Sequence, residues 1–130
     1  MIIGVGLDVV ELARMEKLLS GAGRDRFLDR VLTEREKEIY ATLKPRRALE
    51  FASGRFAAKE AIVKAIGCGI GSQVGFRDVE VLPDPHGKPV CGLSDASLKR
   101  LGWVGLAYRL HLAITHERSI AAATAIIEKV

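Results

Sequence analysis

Two carboxylates on separate segments of the chain are the side chains best suited to chemistry. Asp8 lies near the end of an apolar segment that also contains Gly4 and Gly6. Glu60 lies in an alanine-rich segment and is followed four residues later by Lys64. Carboxylates from two elements, with a lysine beside them, suit a hard cation such as Mg²⁺, which typically takes one or two protein carboxylates and completes its shell with water and substrate phosphate. The spacing does not by itself bring Asp8 to Glu60.

A plain salt bridge is an equally good interpretation of the second segment. Glu60 and Lys64 share one face of a helix, an arrangement that stabilises helices without any function. Residues 55–67 predict such a helix because they are rich in alanine, contain no proline and end at Gly67. At about 100° per residue, apolar side chains fall on almost every side of it, so the helix should be mostly buried. Buried charges are costly unless they are paired or bind a metal, which keeps both interpretations open.

A strand is expected to carry Asp8. Residues 2–10 alternate in character and place four apolar side chains on one face: Ile3, Val5, Leu7 and Val9. Gly4, Gly6 and Asp8 share the other face, where two missing side chains leave room for a close approach to the carboxylate. Alternatively, the glycines only relieve crowding and Asp8 ends an edge strand.

The remaining elements follow from periodicity and from capping signals. The residues T-E-R-E at 33–36 match a capping box and begin a helix. The first helix should bury Leu12, Met15, Leu18 and Leu19. Helices are predicted over residues 11–19, 24–31, 33–43 and 95–101, with a long central helix that opens at Arg46 and Arg47 and is weakened near Ser53 and Gly54. Strands are predicted over residues 76–82, around Val90, and over residues 108–116 and 119–127.

His116 is the histidine with the best placed side chain. It ends an apolar strand face on the side where the central helix should lie, although such a histidine is more often part of a core or its rim than a ligand. His111 falls on the opposite face and is a weaker candidate. The glycines of residues 67–75 follow a helix, whereas those of phosphate-binding loops precede one. Neither a catalytic triad nor an HExxH motif is present.

Length and composition indicate one globular domain over residues 1–130, with 48% hydrophobic and 28% charged residues. No apolar run approaches the roughly 20 residues of a membrane span. The N-terminus lacks a basic segment and reaches Asp8 at once, which argues against a signal peptide. Cys68 and Cys91 are isolated thiols without metal-ligand spacing, so a cytoplasmic location is expected.

The net charge of +4 is concentrated in one part of the chain. Residues 14–64 contain 13 Lys and Arg against 8 Asp and Glu, and the rest of the chain carries one net negative charge. This surplus indicates an anionic partner, which by charge alone is a nucleic acid, a phosphorylated small molecule or an acidic protein.

Two motifs together resemble those of a known family. Residues 4–11, G-V-G-L-D-V-V-E, resemble the N-terminal signature of the holo-acyl-carrier-protein synthases, the small bacterial phosphopantetheinyl transferases. Residues 55–67, R-F-A-A-K-E-A-I-V-K-A-I-G, resemble their second signature, the K-E-A-x-x-K-A helix. A G-I-G loop, a G-K-P turn and an I-T-H strand end follow in the family's order, so the resemblance covers essentially the whole chain.

The resemblance implies an α+β fold in which a compact antiparallel sheet wraps around a long central helix. It further implies a homotrimer with active sites between subunits, and a reaction that transfers 4′-phosphopantetheine from coenzyme A to a serine of apo-acyl carrier protein. That reaction is Mg²⁺-dependent, releases adenosine 3′,5′-bisphosphate and supports fatty acid biosynthesis. Neither a nucleic acid nor a membrane is an expected partner.

The same resemblance assigns roles to residues. Asp8 and Glu60 match the metal ligands, and Lys64 matches a catalytic lysine on the pyrophosphate. Glu60 is also our candidate for the group that takes the serine proton, through a water on the metal. Six residues fall in coenzyme A-binding segments: Arg46, Arg47, Arg55, Lys64, Gly67 and His116. Three match the basic surface that receives the acidic carrier protein: Arg14, Arg24 and Arg26.

Two positions depart from the family pattern, since Cys68 stands where threonine is common and Ala113 where serine is common. Each substitution removes a hydroxyl group next to the expected nucleotide site. Two other classes of protein stay open. One is a non-catalytic module of the same fold that binds coenzyme A or another nucleotide. The other is a small RNA-binding domain, which the basic charge would suit but for which no recognition motif is present.

Overall fold

The computed structural model describes residues 1–130 and has an α+β fold. The helices are α1 (Leu12–Ser20), α2 (Arg24–Val31), α3 (Glu34–Ala41), α4 (Pro45–Ile66) and α5 (Asp95–Leu101). The strands are β1 (Ile2–Glu11), β2 (Val79–Pro83), β3 (Pro89–Leu93), β4 (Tyr108–His116) and β5 (Ile120–Lys129). All strand pairs are antiparallel, as expected, and α4 is the central helix.

The strands divide into two sheets that pack against α4. One has three strands in the order β1-β5-β4, and the other is the β2-β3 hairpin. Small and branched side chains fill the space between the sheets and the helix, among them Ala61, Ile62, Val81, Ala123 and Ile127, all of which are buried. This core covers most of the surface of α4, so the helix is buried as its composition predicts.

Helix α4 is continuous over 22 residues, so the predicted weakening near Ser53 and Gly54 is wrong. Both residues are buried, and a Cβ atom on Gly54 would lie 3.0 Å from the Cγ2 atom of Ile114. The glycine is therefore needed for close packing of β4 on the helix, and its cost in helix propensity is offset by that packing. The helix ends as predicted at Gly67, whose left-handed φ of 93° suits glycine and whose N–H donates to the Val63 carbonyl.

Strand β1 packs on α4 through its glycine face. A Cβ atom on Gly4 would lie 1.8 Å from the Ala65 carbonyl oxygen, and one on Gly6 would lie 1.9 Å from the Ala61 carbonyl oxygen. Only glycine permits this separation, because a contact below 3.0 Å requires the backbone to move. The group that approaches the glycine face is thus the backbone of α4 itself.

The opposite face of β1 is apolar and uncovered. Val5, Leu7 and Val9 point away from α4 and are 63%, 60% and 55% exposed. Leu18 on α1 is also exposed, at 41%, so its predicted burial is wrong. It lies about 120° around the helix from Leu12, outside the stripe that packs on the core.

Local hydrogen bonds explain the boundaries of two other elements. Thr33 and Glu36 form the predicted capping box at the start of α3. The strand predicted over residues 76–82 begins only at Val79, because Phe76–Asp78 form a 3₁₀ turn. The Asp78 carboxylate holds that turn by accepting from the Gly75 N–H at 2.8 Å and from the Ser94 hydroxyl at 2.6 Å. Among the helices, none has the length and apolar content that a membrane crossing requires.

Candidate functional site

Asp8 and Lys64 meet between β1 and α4. The register of the sheet places Asp8 opposite Ala123 on the face that packs on α4. Lys64 Nζ donates to Asp8 Oδ1 at 3.0 Å and to the Leu7 carbonyl at 3.1 Å. The structure therefore pairs Lys64 with Asp8, and not with Glu60 as the simple i,i+4 interpretation had it. Residues that are 56 positions apart in sequence form this pair.

The second oxygen of Asp8 has no partner. Its side chain is 15% exposed, and Oδ2 is buried without any hydrogen bond. A buried acceptor without a hydrogen bond costs on the order of 1–3 kcal/mol, and more when the acceptor is charged. Unpartnered buried groups of this kind are uncommon in native proteins and commonly mark a place where an ion or water binds.

Glu60 adds a second carboxylate near Asp8. Burial raises the pKa of Glu60, the negative charge of Asp8 raises it further, and Lys64 opposes both effects. The effect of the Asp8 charge on Glu60 is consistent with the fold bringing the two carboxylates near each other, which the sequence alone did not show. Two like charges held close in a partly buried place favour the binding of a cation between them.

These donors fit Mg²⁺. The protein contributes two carboxylates, and no group of three or more His, Cys, Asp or Glu side chains that would form a complete cage is present. Mg²⁺ is commonly held by one or two carboxylates and by the oxygens of water and substrate phosphate. The buried, unpartnered Asp8 Oδ2 is the observation that supports a cation here, and Lys64 lies in reach of any phosphate bound to it.

A second group of predicted residues lines a cleft of about 400 Å³ between α4, the β2-β3 hairpin and β4. Its charged and polar side chains are those of Arg47, Glu50, Arg55 and His116. Arg55 Nε donates to the Val81 carbonyl at 3.2 Å, and its guanidinium carbon lies 4.1 Å from the centre of the Phe51 ring. Burial lowers the pKa of Arg55, although the nearby Glu36 opposes the shift. An arginine fixed on an aromatic ring beside a histidine suits a planar, anionic ligand.

Glu50 orients His116 and Arg46. Its Oε2 atom lies 3.2 Å from His116 Nδ1 and 3.4 Å from Arg46 Nε. Arg46 also donates to the carbonyls of Glu117 and Arg118, both at 3.3 Å. Arg46 thus ties the β4-β5 turn to the start of α4, and it does not line the cleft that contains Arg47. Sequence reasoning missed Glu50, for which periodicity gives no signal.

The two groups lie on opposite sides of α4. Arg55 and Lys64 are nine residues apart, so their side chains leave the helix in directions about 180° apart and are separated by about 14 Å along its axis. Gly67 lies at the end of the helix that carries Lys64. One chain therefore does not bring all the residues of the predicted coenzyme A site to one place.

The three arginines of the predicted carrier surface are exposed on the first two helices. Arg14 lies on α1, one turn from the exposed Leu18, and Arg26 lies on α2. Arg24 stacks over the Tyr40 ring at 5.9 Å and borders a groove of about 560 Å³ between α1, α3 and α4. All three are available to an acidic partner.

The two departures from the family pattern lie in different surroundings. Cys68 is half-buried after α4, and burial raises the pKa of its thiol. Ala113 pairs with Thr124 and faces the opposite side of the sheet from Ile114 and His116. Within one chain, Ala113 therefore does not line the cleft that contains His116.

A buried ion pair is the largest feature that sequence reasoning missed. Lys59 Nζ lies 2.6 Å from Glu36 Oε1, and neither side chain is exposed at all. The sequence feature that could have indicated this pair is Lys59 itself, a lysine inside a helix that is apolar on almost every side. Its pairing with Glu36 was not predicted, because the sequence already assigned Glu36 to the capping box of α3.

Comparison with known proteins gives the class of the chain. A model of the 4′-phosphopantetheinyl transferase superfamily matches residues 4–124. A protein named holo-[acyl-carrier-protein] synthase from Geobacillus sp. (strain WCH70) is 46% identical over 129 residues, which cover 99% of this chain and 98% of that protein. The chain belongs to the 4′-phosphopantetheinyl transferase superfamily and, within it, to the holo-[acyl-carrier-protein] synthases, which makes it an enzyme of the transferase class.

Solved structures agree with this assignment. The holo-(acyl-carrier-protein) synthase from Bacillus anthracis str. Ames, in complex with CoA (3′,5′-ADP), has a TM-score of 0.85 and is 42% identical, and the match covers 100% of this chain and 99% of that chain. The Helicobacter pylori enzyme in complex with coenzyme A has a TM-score of 0.81 and is 27% identical, with 95% of this chain and 99% of that chain covered.

Proposed function

We propose that the chain, acting as one domain, transfers 4′-phosphopantetheine from coenzyme A to a serine of apo-acyl carrier protein and releases adenosine 3′,5′-bisphosphate. The observation that carries the proposal is the buried, unpartnered Asp8 Oδ2 beside Glu60 and Lys64. These groups are suited to holding a pyrophosphate with a divalent cation. Related structures that contain coenzyme A support the identity of the donor. The reaction fits a role in the cytoplasm, in fatty acid biosynthesis.

The chemistry required of the protein is mainly positioning and neutralisation of charge. Attack of the serine hydroxyl on the β-phosphorus increases the negative charge on the departing phosphate. Asp8 and Glu60 would hold Mg²⁺, which would place positive charge next to the pyrophosphate oxygens. Lys64 Nζ turns from Asp8 Oδ1 to a phosphate oxygen and adds a second fixed positive charge. The serine and the phosphorus must also be held in line, which accounts for much of the remaining rate in phosphoryl transfer.

Glu60 is the candidate acceptor for the serine proton. Glu60 would act through a water molecule, because its own carboxylate would also hold the cation.

We also propose that the active protein is a homotrimer with its sites between subunits. Two observations support this assembly. The outer face of β1 exposes Val5, Leu7 and Val9 in a row, which is more apolar surface than a monomer usually leaves uncovered. The groups around Lys64 and Arg55 lie on opposite sides of α4, so a second chain is needed to place the Arg55 cleft of one copy next to the Lys64 group of another.

The carrier protein is expected to dock on the exposed basic surface of α1 and α2. Arg14, Arg24 and Arg26 lie on this surface, and an acidic partner would be drawn to it at long range. The two competing classes lack a comparable observation. A module that only binds coenzyme A does not need a buried, unpartnered carboxylate, and the aromatic residues are too few and too enclosed to stack with RNA bases.

The test of the transfer reaction is a mass measurement. The protein is incubated with coenzyme A, Mg²⁺ and an apo-acyl carrier protein, and the carrier is expected to gain the mass of one phosphopantetheine. Asp8→Ala and Glu60→Ala should abolish this gain while the chain stays folded. Binding of coenzyme A without any gain of mass on the carrier would favour the non-catalytic module.

The test of the assembly combines light scattering with mixing of variants. Light scattering of an active preparation should give the mass of three chains. Asp8→Ala and His116→Ala should each be inactive alone, because each removes a different part of the site. Mixing and reassembling the two should restore part of the activity, since some sites then combine two intact halves. A fully active monomer would refute the proposed assembly.

A further inference from the structure

The buried pair of Lys59 and Glu36 links three elements of the fold. Lys59 Nζ on α4 donates to Glu36 Oε1 at 2.6 Å and to the Val31 carbonyl at 2.7 Å. Glu36 Oε1 also accepts from the Thr33 N–H at 2.8 Å. The other carboxylate oxygen, Oε2, accepts from the Val81 N–H of β2 at 2.7 Å. Every polar atom of the pair is therefore used, and the pair joins α4, the start of α3 and β2.

The same residue of β2 also holds Arg55. Val81 lies opposite Cys91 of β3 in the sheet register. Its backbone N–H and carbonyl are both hydrogen-bonded to side chains outside the hairpin. Its N–H donates to Glu36, and its carbonyl accepts from Arg55 Nε. A continuous chain of contacts thus runs from Lys59 through Glu36 and Val81 to the guanidinium group in the cleft.

Stability alone is a weak explanation for this pair. Removal of two charges from water costs several kcal/mol for each ion, and replacing a buried pair with apolar residues of similar volume is often neutral or stabilising. A pair of this kind is better explained by what it fixes. Arg55 stacks on Phe51 by one face and is bonded through Nε, so its orientation depends on where Val81 lies.

We propose that Lys59 and Glu36 are positioning residues for Arg55, and that through Arg55 they set the affinity of the cleft for the nucleotide part of the donor. The inference rests on the proposed function for the identity of that ligand. The pair does not contact the ligand, since both side chains are fully enclosed. It acts by holding the edge of β2 at a fixed distance from α4, so that the guanidinium group is already oriented before the nucleotide binds.

The test uses variants that remove both charges together. Glu36→Leu with Lys59→Met removes both charges of the pair and leaves the N–H groups of Val81 and Thr33 without their carboxylate acceptors. Glu36→Gln with Lys59→Met also removes both charges but keeps an amide oxygen for Val81. The control removes a pair at the surface, Lys37 of α3 and Asp29 of α2, whose side-chain atoms lie 2.8 Å apart; Lys37 also lies 2.9 Å from Glu34, so this control too removes more than one contact. The control is made as Asp29→Leu with Lys37→Met.

The first measurement is independent of the proposed function. The Nε–H resonance of Arg55 is followed by NMR, and its exchange with solvent should be slow in the unchanged protein and in the control. Exchange should be fast in the Leu/Met variant and intermediate in the Gln/Met variant. Equal protection of the Arg55 Nε–H in all four proteins would overturn the inference, whatever ligand the cleft binds.

The second measurement is the affinity for adenosine 3′,5′-bisphosphate by calorimetry at 25 °C, well below each melting temperature. The Leu/Met variant should bind roughly tenfold more weakly, by analogy with residues that orient metal ligands, whose mutation typically costs about 10–100-fold in affinity or activity. Arg55→Gln should weaken binding in the unchanged protein but have little further effect in the Leu/Met background, because both changes disturb one group. Fully additive effects would mean that the pair acts elsewhere and would refute the inference. Absence of nucleotide binding in the unchanged protein would instead count against the proposed function, with the NMR result still deciding the role of the pair.

Discussion

Replacement of Gly6 by alanine tests the contact on which the candidate site depends. The added Cβ atom would lie 1.9 Å from the Ala61 carbonyl oxygen, whereas ordinary contacts begin at 3.4 Å. The obstacle is the backbone of α4, which cannot rotate away as a side chain would. Strand β1 must therefore move about 1.5 Å from the helix near Gly6, and Asp8 moves with it.

The expected cost has a structural and a catalytic part. Overpacking of a filled core typically costs about 1–3 kcal/mol, and a contact between backbones belongs at the upper end of that range. For a chain of this size, about 3 kcal/mol corresponds to a fall in melting temperature of roughly 10 °C. The same movement would break the 3.0 Å contact between Asp8 and Lys64. A misplacement of about 1 Å at a reacting centre can cost on the order of 10² in rate.

The assay compares melting temperature and kcat for Gly6→Ala and for a matched control. Gly92→Ala places the same methyl group on a strand where no atom lies within 4 Å, so both its stability and its rate should stay close to those of the unchanged protein. A Gly6→Ala variant that melts within about 2 °C of the unchanged protein and keeps its full kcat would show that β1 and α4 are not in backbone contact.

Three further predictions concern single charged residues. Glu60→Gln should raise the melting temperature at pH 7–8 in EDTA, because folding raises the pKa of Glu60 above its ordinary 4.5 and the ionised carboxylate then opposes folding. This gain should vanish below pH 4.5, where Glu60 is protonated in both the folded and the unfolded protein. Mg²⁺ should stabilise only the unchanged protein, and equal stabilisation of both proteins would contradict the metal site. Lys64→Met should lower kcat by roughly 10²–10³-fold, with little change in melting temperature in saturating Mg²⁺, and Lys64→Arg should recover only part of that loss. A large fall in melting temperature with a nearly unchanged kcat would instead assign Lys64 to structure. Arg14→Glu should raise KM for the carrier protein far more than KM for coenzyme A, and the difference between variant and unchanged protein should shrink as salt rises above about 0.15 M. An equal effect on both KM values would mean that Arg14 supports the fold.

Features that depend on neighbours in sequence were predictable. The alternation of residues 2–10, the capping box at Thr33 and the stop at Gly67 each reflect interactions over a few residues, and the structure has all three. The family resemblance supplied the expected arrangement of the elements, which the comparisons confirm. The roles assigned to Arg47, Arg55 and His116 stay predictions, although the fold places the three in one cleft.

Features that depend on distant contacts were not predictable from local pattern. Lys64 pairs with Asp8 rather than with its helical neighbour Glu60, because the glycine face of β1 lets the strand approach the helix backbone. Gly54 suggested a break in α4, but its role is to admit Ile114 from β4. Both differences have one physical cause. Helix and strand propensities describe a segment in isolation, and packing between segments overrides them.

The continuity of α4 sets the spacing of the two halves of the site. Each residue added to or removed from the stretch between Arg55 and Glu60 would turn one half by about 100° against the other and shift it by about 1.5 Å. Changes of residue type on this stretch can be absorbed by repacking, but a change in its length cannot. The number of residues from Arg55 to Lys64 is therefore under a stricter constraint than most of their identities, and a one-residue insertion here should be more damaging than several substitutions spread along the same helix.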